Sequence, residues 1–415
     1  MTGRRRVVVT GLGVVSALGL DERALGRRLF AGEGGVRRIR AFDLAGYRCT
    51  SGAEVDDGEL RAALADRGWR RVDRTLDMAM LASAQALEQA GLAARGAEHV
   101  PQAVGTLFGT GWGPTESLVA NWQSYQEKGL KGLRPTTVPR CMMNAISSQV
   151  SMRFRLTGPN YVVVSACASS TVAIGMGYRM IRDGHAERVL CGGADAMFDP
   201  AVYGSWNNLG VLSRNENPER ACRPFDAERD GFVLGEGAGA LVLESLESAH
   251  SRGARARAEI RGYGESSDAE HVTRPSEQGQ TRAMSAALAD AGLEPSGLGF
   301  VNAHGTATQA NDECECRSLR AVLGAEVERV PVVSSKPYFG HLIGGAGAVE
   351  TIATILCLEA GRVHRSLNLD RPDELCDVHL VRERAVDLEM PTAMMNSFGF
   401  GGNNAVLVLR GGELA

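Results

Sequence analysis

The feature that most limits the folds open to this chain is a short apolar strand that runs directly into a helix. The clearest example is the run Asn160-Tyr-Val-Val-Val-Ser-Ala-Cys167-Ala-Ser-Ser-Thr171. Its three consecutive valines are typical of a fully buried strand, and residues 172–181 have helical apolar spacing. Cys167 therefore lies at a strand-to-helix turn, where the positive end of a helix dipole stabilises a thiolate. The alternative interpretation is a small buried cysteine that fills a tight corner.

Two histidines follow apolar runs in a similar way. His304 comes after the short run Leu298-Gly-Phe-Val-Asn-Ala. His341 lies between a second predicted strand and a glycine-rich entry into a helix, five residues after Lys336. One histidine at a strand end is more often structural than catalytic. Two of them, together with a similarly placed cysteine, favour one reactive site on loops held by a rigid scaffold.

Strand-like and helical patterns alternate along the chain, which predicts an α/β fold. The predicted strands include Val7–Val9, Val162–Val164, Arg188–Cys191, Gly239–Leu243, Phe300–Asn302, Val330–Val333 and Ala405–Leu409, and the predicted helices include Leu76–Ala90, Ser285–Ala291 and Ala348–Ala360. Residues 258–264 form a strand followed by a glycine turn, which repeats the pattern predicted for residues 7–13. This repetition predicts a duplicated fold with halves at residues 1–252 and 253–415.

Composition excludes several classes of protein. The 415 residues carry a formal net charge of −4, which gives no reason to expect binding to nucleic acid or to an anionic membrane. The nine cysteines are odd in number and scattered, unlike a secreted disulfide framework. Cys314 and Cys316 have no second pair of ligands at zinc spacing, so no metal site is predicted.

The N-terminus superficially resembles a signal peptide, because three arginines precede an apolar run. Thr10, Gly11 and Gly13 interrupt that run, so a buried strand and a glycine turn explain it better. No later stretch reaches the roughly 18 uninterrupted apolar residues of a membrane span. A cytoplasmic protein is expected.

Taken together, the motifs resemble those of the β-ketoacyl-acyl-carrier-protein synthases, in particular the elongating type II ketosynthases of the thiolase superfamily, which use one cysteine and two histidines. Six stretches carry the resemblance: Val8-Val-Thr-Gly-Leu-Gly, Ser165-Ala-Cys-Ala-Ser-Ser, Arg223-Pro-Phe-Asp-Ala-Glu-Arg-Asp-Gly-Phe-Val-Leu-Gly-Glu-Gly-Ala, His304-Gly-Thr-Ala-Thr, Gly340-His341 and Asn396-Ser-Phe-Gly-Phe-Gly-Gly. They extend from the first strand almost to the C-terminus. Their order and spacing are more specific than any one of them.

The resemblance implies a thiolase-like fold, in which two duplicated α/β halves form α-β-α-β-α layers. It also implies a decarboxylative Claisen condensation, in fatty-acid or in type II polyketide or polyene biosynthesis. Cys167 would hold the acyl chain as a thioester. His304 and His341 would donate hydrogen bonds to the enolate that forms when malonyl-acyl carrier protein loses CO2.

Four charged residues are expected to support the two histidines. By resemblance, Lys336 lies near them and helps to fix their protonation, with Glu350 as its partner in a buried ion pair. Asp312 and Glu315 are three residues apart and are expected to cap and brace the helix after the His304 loop.

The resemblance also predicts how substrates bind. Thr306 and Thr308 would contact the phosphopantetheine arm of an acyl carrier protein, and no other cofactor is expected. The alternative for these hydroxyls is that they satisfy their own turn. The backbone N–H groups of Cys167 and Phe400 would hold an oxyanion, and the Phe400 ring would act as a gate for the acyl chain.

Two further expectations concern partners. Arg67, Arg70, Arg71 and Arg74 form a basic cluster that is either a solvated face or a docking site for an acidic carrier protein. The chain is expected to form a homodimer, or a heterodimer with a ketosynthase-like paralogue such as a non-catalytic chain-length factor.

The chain departs from the family pattern at Phe108 and Trp112, which are bulky and flat. We expect them to line and reshape the acyl pocket in favour of unsaturated or aromatic chains, as in a specialised polyketide or polyene pathway. Three alternatives fit less well. A chain-length factor would lack Cys167, a thiolase would have a second cysteine in the loop 398–404, and a dinucleotide-binding turn at Gly11 would have a third glycine where Ser16 stands.

Overall fold

The computed structural model describes residues 4–94 and 103–412. The strands are β1 (Val7–Val15), β2 (Arg37–Arg38), β3 (Ser51–Gly52), β4 (Gly105–Gly109), β5 (Asn160–Val163), β6 (Arg188–Asp195), β7 (Gly237–Ser245), β8 (Ala258–Ser267), β9 (Phe300–Asn302), β10 (Val332–Val333), β11 (Arg362–Val363), β12 (Val386–Asp387), β13 (Thr392–Gly399) and β14 (Asn403–Arg410). The helices are α1 (Glu22–Ala31), α2 (Asp57–Asp66), α3 (Arg74–Gln89), α4 (Thr115–Lys128), α5 (Thr137–Cys141), α6 (Ala145–Phe154), α7 (Ser169–Arg182), α8 (Pro200–Leu209), α9 (Leu246–Ser251), α10 (Glu277–Ala291), α11 (Gln309–Leu323), α12 (Lys336–Phe339) and α13 (Ala346–Ala360).

The main sheet consists of two five-stranded groups with the same topology. Its order is β10-β9-β13-β14-β8-β1-β7-β6-β4-β5, so β8 and β1 meet in the middle. In each group an antiparallel set of three strands is followed by two parallel strands. The two groups are joined by only three residue pairs, from Val7↔Ile260 to Val9↔Ala258. The predicted duplication is therefore confirmed, whereas the boundary at residue 252 stays a prediction.

Helices cover both faces of each group. Helices α7 and α13 contact each other and lie between the two groups, where they pack on β6 and β7 on one side and on β13 and β14 on the other. Helix α3 covers the outer face of the first group, and α10 covers that of the second. The five layers α-β-α-β-α predicted from the resemblance are confirmed. The segment Ile343–Ala360 is long and apolar enough to span a membrane, but 83% of it is buried inside the protein, as befits a central helix.

Glycines bring the outer helices unusually close to the sheet. A Cβ atom at Gly11 or Gly13 of β1 would overlap a carbonyl oxygen of Ala86 or Ala82 in α3. The predicted glycine turn at these residues is wrong, because β1 continues through them to Val15. A dinucleotide-binding site would need a turn at these glycines, so the continuous strand also argues against that alternative. The glycine turn predicted after the strand at residues 258–264 is wrong for the same reason, because β8 continues to Ser267.

Strand β5, which leads to Cys167, is not the fully buried strand that its valines suggest. It forms one end of the sheet, and Tyr161 and Val164 are 53% and 55% exposed. Apolar side chains on an exposed sheet edge are an aggregation hazard unless another chain or element covers them.

The close approach at Gly13 can be tested by substitution. Gly13→Ala forces a methyl group against the backbone of α3, and overpacking of this kind costs about 1–3 kcal/mol. We expect the free energy of unfolding, measured by denaturant titration, to fall by about this amount.

Gly26→Ala is the matched control. Gly26 lies inside α1, and a methyl group added there would have the Cδ1 of Leu356 as its nearest neighbour, at 3.6 Å. Alanine is the better helix former, so this variant should be as stable as the parent or more stable. Equal loss of stability in both variants would contradict the proposed contact.

Candidate active site

Cys167 lies in a strained turn between β5 and α7. Ala166 has a φ of 47°, a left-handed conformation that non-glycine residues rarely adopt. The Ser169 Oγ accepts a hydrogen bond from the Ser165 N–H at 2.8 Å and holds the turn closed. Cys167 itself is only 5% exposed. Backbone strain of this kind is concentrated at functional sites.

The two histidines arrive from the second half of the chain. His304 follows β9, and His341 follows the single-turn helix α12. The His341 N–H donates to the Val233 carbonyl at 2.7 Å, which ties this loop to residues before β7. The Cys167 Sγ and a ring nitrogen of each histidine lie within 4.8 Å of one another, and all three residues are buried. These side chains could offer three ligand atoms to zinc, so the metal-free interpretation stays a prediction.

Lys336 is fully buried beside the histidines. Its Nζ lies 2.6 Å from the Glu350 Oε1, 2.5 Å from the His304 carbonyl oxygen and 3.3 Å from the His304 Nδ1. An ammonium group can only donate, so the His304 Nδ1 accepts and the neutral ring carries its proton on Nε2. Neither ring nitrogen of His341 has a partner among the described residues.

The electrostatics keep both imidazoles neutral. Burial and the Lys336 charge lower the pKa of His304 and of His341 well below the ordinary value, and His341 adds to the effect on His304. Burial also raises the pKa of the Cys167 thiol to about 12, whereas the Lys336 charge and a hydrogen bond from the Phe400 N–H act in the opposite direction. The resting residue is therefore a thiol, and desolvation outweighs the thiolate stabilisation that its place before a helix suggests.

The Phe400 loop packs directly against the Cys167 turn. Loop residues 400–402 connect β13 to β14, and Gly401 and Gly402 have φ values of 80° and 73°. A Cβ at Gly399 would lie 2.9 Å from the Ser165 carbonyl oxygen and 3.1 Å from the Cys167 N. Only glycine allows this approach, which brings the Phe400 N–H to the Cys167 sulfur.

These residues share one cavity of about 190 Å³. Its wall includes Cys167, His304, His341, Thr306, Thr308, Phe398 and Phe400, and it also contains Val272, Thr273 and Arg274 from the loop after β8. Thr306 and Thr308 hydroxyls lie 2.9 Å apart. The cavity thus offers a thiol, two neutral imidazoles and backbone donors at one end, and small polar side chains along its wall.

Comparisons with known proteins agree with this site. The profiles described as "Beta-ketoacyl synthase, N-terminal domain" and "Beta-ketoacyl synthase, C-terminal domain" match residues 4–249 and 257–370. The chain belongs to the β-ketoacyl synthase family. It is an acyltransferase that forms carbon–carbon bonds, as predicted from the motifs.

Individual relatives cover almost the whole synthase. The 3-oxoacyl-[acyl-carrier-protein] synthase 2 of Synechocystis is 38% identical over 98% of each chain. The ishigamide ketosynthase/chain length factor superposes with a TM-score of 0.89 at 34% identity, covering 99% of this chain and 100% of that one. A type II polyketide ketosynthase in complex with its acyl carrier protein superposes with a TM-score of 0.86 at 28% identity, with the same coverage.

Asp312 and Glu315 brace the His304 loop of the synthase through its backbone. Glu315 accepts from the N–H groups of His304 and Gly305 at 2.8 Å, and Asp312 accepts from the Thr306 N–H at 2.9 Å. Burial raises the pKa of Glu315 to about 7. The predicted capping role is wrong, because the Thr308 side chain caps α11.

The two predicted pocket residues are not in the cavity wall. Phe108 is fully buried on the opposite face of β4, where it packs with Ile146 and Leu190 beneath α3 and α6. Successive strand residues point to opposite faces, and the sequence alone did not show which face carries the site. Trp112 is 38% exposed, and its ring contacts that of Trp206, which does line the cavity, at 6.1 Å between ring centroids.

Three of the four predicted docking arginines form ion pairs within the synthase. Arg67 binds Glu88, Arg71 binds Asp77, Asp57 and Glu116, and Arg74 binds Asp57 and the buried Glu236. Arg70 alone in this cluster is exposed without an ion pair to another described residue. The cluster is mainly structural, because its acidic partners neutralise most of its charge.

Sequence reasoning missed three residues that shape the site. Trp206 of α8 and Phe232 line the cavity, and the Phe232 ring contacts that of His341 at 5.3 Å between centroids. Asp195 is fully buried and accepts from the N–H groups of Gly111 and Trp112 and of Gly344. The sequence offered one signal for these three residues: Asp195 is an acidic residue at the end of the buried strand β6, where functional side chains are often found.

The neutral state of the histidines has a measurable consequence for pH dependence. Unfolded histidine binds a proton below about pH 6.5, whereas buried His304 and His341 do not. The unfolded state therefore binds more protons, and the free energy of unfolding should fall as pH drops below 6.5. In NMR titrations the imidazole signals of both residues should stay those of neutral rings at pH 6.

The double variant Lys336→Met/Glu350→Gln removes the buried charge pair together, so that no lone charge remains. It should move both imidazole pKa values upward, since one of the causes that lower them is gone. Lys131→Met, at an exposed lysine, should leave them unchanged. Unaltered titration in the double variant would show that Lys336 does not hold the rings neutral.

Proposed function

We propose that this synthase holds an acyl chain on Cys167 and extends it with a malonyl thioester delivered on the phosphopantetheine arm of an acyl carrier protein. The observation that carries the proposal is the cluster of the Cys167 Sγ and the two imidazoles within 4.8 Å at one end of the cavity. No separate cofactor takes part. The proposal includes a cytoplasmic location, supported by nine unpaired cysteines.

In the first step the Cys167 sulfur attacks the incoming acyl thioester. The thiol proton leaves with the departing carrier thiol, so no net charge accumulates. As the sulfur becomes anionic, the Lys336 charge and the Phe400 N–H both favour it. The N–H groups of Cys167 and Phe400 stabilise the oxyanion of the tetrahedral intermediate.

In the second step the malonyl group loses CO2 and leaves an enolate. The His304 Nε2–H donates to the enolate oxygen, since Lys336 occupies the Nδ1 side of the same ring. His341 is neutral and neither of its ring nitrogens has a partner among the described residues, so its one N–H supplies the second donor. Neutral imidazoles suit this role, because an imidazolium would transfer its proton and quench the enolate.

In the third step the enolate carbon attacks the acyl-Cys167 carbonyl. The new oxyanion forms at the same two backbone donors, and its collapse expels the Cys167 sulfur as a thiolate, which takes up one proton from solvent to restore the thiol. The product is a β-ketoacyl thioester on the carrier arm, two carbons longer than the acyl chain.

The carrier arm enters beside Thr306 and Thr308, whose hydroxyls suit its amide groups. Val272, Thr273 and Arg274 are exposed residues that also line the cavity, and they mark its mouth. Arg274 forms no ion pair with another described residue, so it is available to an acidic carrier protein. With most of the Arg67–Arg74 cluster paired internally, this mouth is the better-supported docking position.

A second subunit of the same fold covers the apolar face around β5. The exposed apolar residues of this face, defined here as the β5 face, are Leu118, Trp122, Leu130, Val138, Met142, Met143, Met152, Tyr161 and Val164. They lie on or beside α4, α5, α6 and β5, which contact one another in that order, and exposed apolar residues grouped in this way on a soluble protein mark an interaction site. The unpaired edge of β5 can form backbone hydrogen bonds with a partner strand.

Acyl transfer to Cys167 is the most direct test of the proposed function. Mass spectrometry after incubation with an acyl-carrier-protein thioester should find one acyl adduct on Cys167 and none in Cys167→Ala. Cys141→Ala, at a more exposed cysteine, should acylate like the parent. An adduct that persists in Cys167→Ala would refute the nucleophile.

His304→Ala should slow malonyl decarboxylation by about 100-fold or more, the usual loss when one oxyanion donor is removed. His379→Ala, at an exposed histidine, is the control and should decarboxylate at the parent rate. If the His304→Ala protein also decarboxylated malonyl-carrier protein at the parent rate, the proposed hydrogen bond from His304 to the enolate would be refuted.

The subunit proposal predicts that Tyr161→Glu/Val164→Lys abolishes association, because charge on the β5 edge cannot be buried between subunits. Analytical ultracentrifugation should find a dimer of the parent chain alone, or a dimer only when a ketosynthase-like paralogue is added; the two results distinguish a homodimer from a heterodimer. Leu375→Glu, on exposed surface elsewhere, should not alter the result. Unchanged association of the β5 variant would contradict the assignment of this face.

A further inference from the structure

The wall of the cavity beside Cys167 is predominantly aromatic. Trp206 is 6% exposed and belongs to the same apolar cluster as Cys167. Its ring is nearly parallel to that of Phe400, at 28° and 6.4 Å between centroids, and it meets the edge of Phe232 at 5.9 Å. An acyl chain on Cys167 therefore lies against flat ring surfaces.

Trp206 also carries an unpaired donor. Its indole N–H is buried and has no acceptor in residues 4–94 and 103–412. Buried donors nearly always find a partner, because an unpaired one forfeits its hydrogen bond to water. A saturated chain leaves this N–H unpaired, whereas the π-electrons of an unsaturated chain can accept from it.

The Trp206 ring is held in place from behind. The Trp112 ring contacts it at 6.1 Å between centroids, and the backbone N–H of Trp112 donates to the buried Asp195 at 3.0 Å, which fixes the main chain at Trp112. Phe232 restricts Trp206 on another side, so the indole cannot easily swing away from an incoming chain. A rigid flat wall favours a chain that is already planar, since less conformational freedom is lost on binding.

We infer that Trp206 selects acyl chains that are conjugated and planar next to the thioester. This inference rests on the proposed function, because it requires the chain to be held on Cys167. Beside Trp206 the wall is formed by Phe232 and Phe400, whose side chains carry no donor, so a polyenoyl chain matches both the ring faces and the single indole N–H of this part of the cavity.

The test compares condensation of dienoyl, saturated and 3-oxoacyl carrier-protein thioesters of equal length with malonyl-carrier protein. The parent synthase should prefer the dienoyl chain, and Trp206→Leu should lower the ratio of kcat/KM for dienoyl over saturated chains by about tenfold. Trp206→Phe keeps a ring but loses the N–H, so it should lower the ratio by a smaller factor. Phe42→Leu removes an aromatic ring from the same cluster, outside the cavity wall, and should leave the ratio unchanged.

Each outcome decides between the claims. An unchanged ratio in Trp206→Leu, with condensation intact, overturns the inference and leaves the proposed function standing. A Trp206-dependent preference for the 3-oxoacyl chain also overturns it, in favour of a carbonyl acceptor. Failure of every chain to acylate Cys167 refutes the proposed function, and the inference with it.

Discussion

The site depends on one buried positive charge. Lys336 has no exposure to solvent, and its ammonium is satisfied by Glu350, the His304 carbonyl and the His304 Nδ1. A buried ammonium without such partners would be strongly destabilising. The contact with Lys336 sets the tautomer of His304, and the Lys336 charge adds to burial in lowering the pKa of both imidazoles, whereas at Cys167 it partly offsets the burial that raises the pKa of the thiol. One buried charge thus acts, together with burial, on the protonation of all three side chains that can react.

A second buried charge sets the geometry. The Asp195 carboxylate binds backbone N–H groups from the loop after β4, in the first half of the chain, and from Gly344, in the second. Gly344 lies three residues after His341. The position of His341 relative to Cys167 is therefore fixed by hydrogen bonds across the two halves, and the site exists only when both halves are folded and packed together.

The sequence predicted the reactive residues because they occupy places with a local signature. Cys167, His304 and His341 each follow a short apolar run and precede glycine or small residues, and the family motifs add their roles. Contacts made across long distances left no such signature. Arg74 looked like part of a docking surface, but its partner Glu236 lies 162 residues away. Phe108 was expected in the pocket because it departs from the family pattern, but strand residues alternate between faces, and only the packed structure shows which face of β4 holds the site. Trp206 went unnoticed because no neighbour in the sequence marks it as part of the cavity.

The glycines of β1 and β8 that face α3 and α10 do more than make room for these helices, because they also fix where each helix lies along its strand. In β1 they are two residues apart and meet helix carbonyls four residues apart, and in β8 Gly262 and Gly264 meet Ala287 and Ala283 in the same way. Two residues of a strand span about 6.8 Å and four residues of a helix about 6 Å, so the two repeats nearly coincide. Sliding either helix by one residue would rotate a different side chain over each glycine and lose both contacts at once. The spacing of two small residues therefore sets the longitudinal position of each outer helix, and it does so identically in the two halves of the molecule.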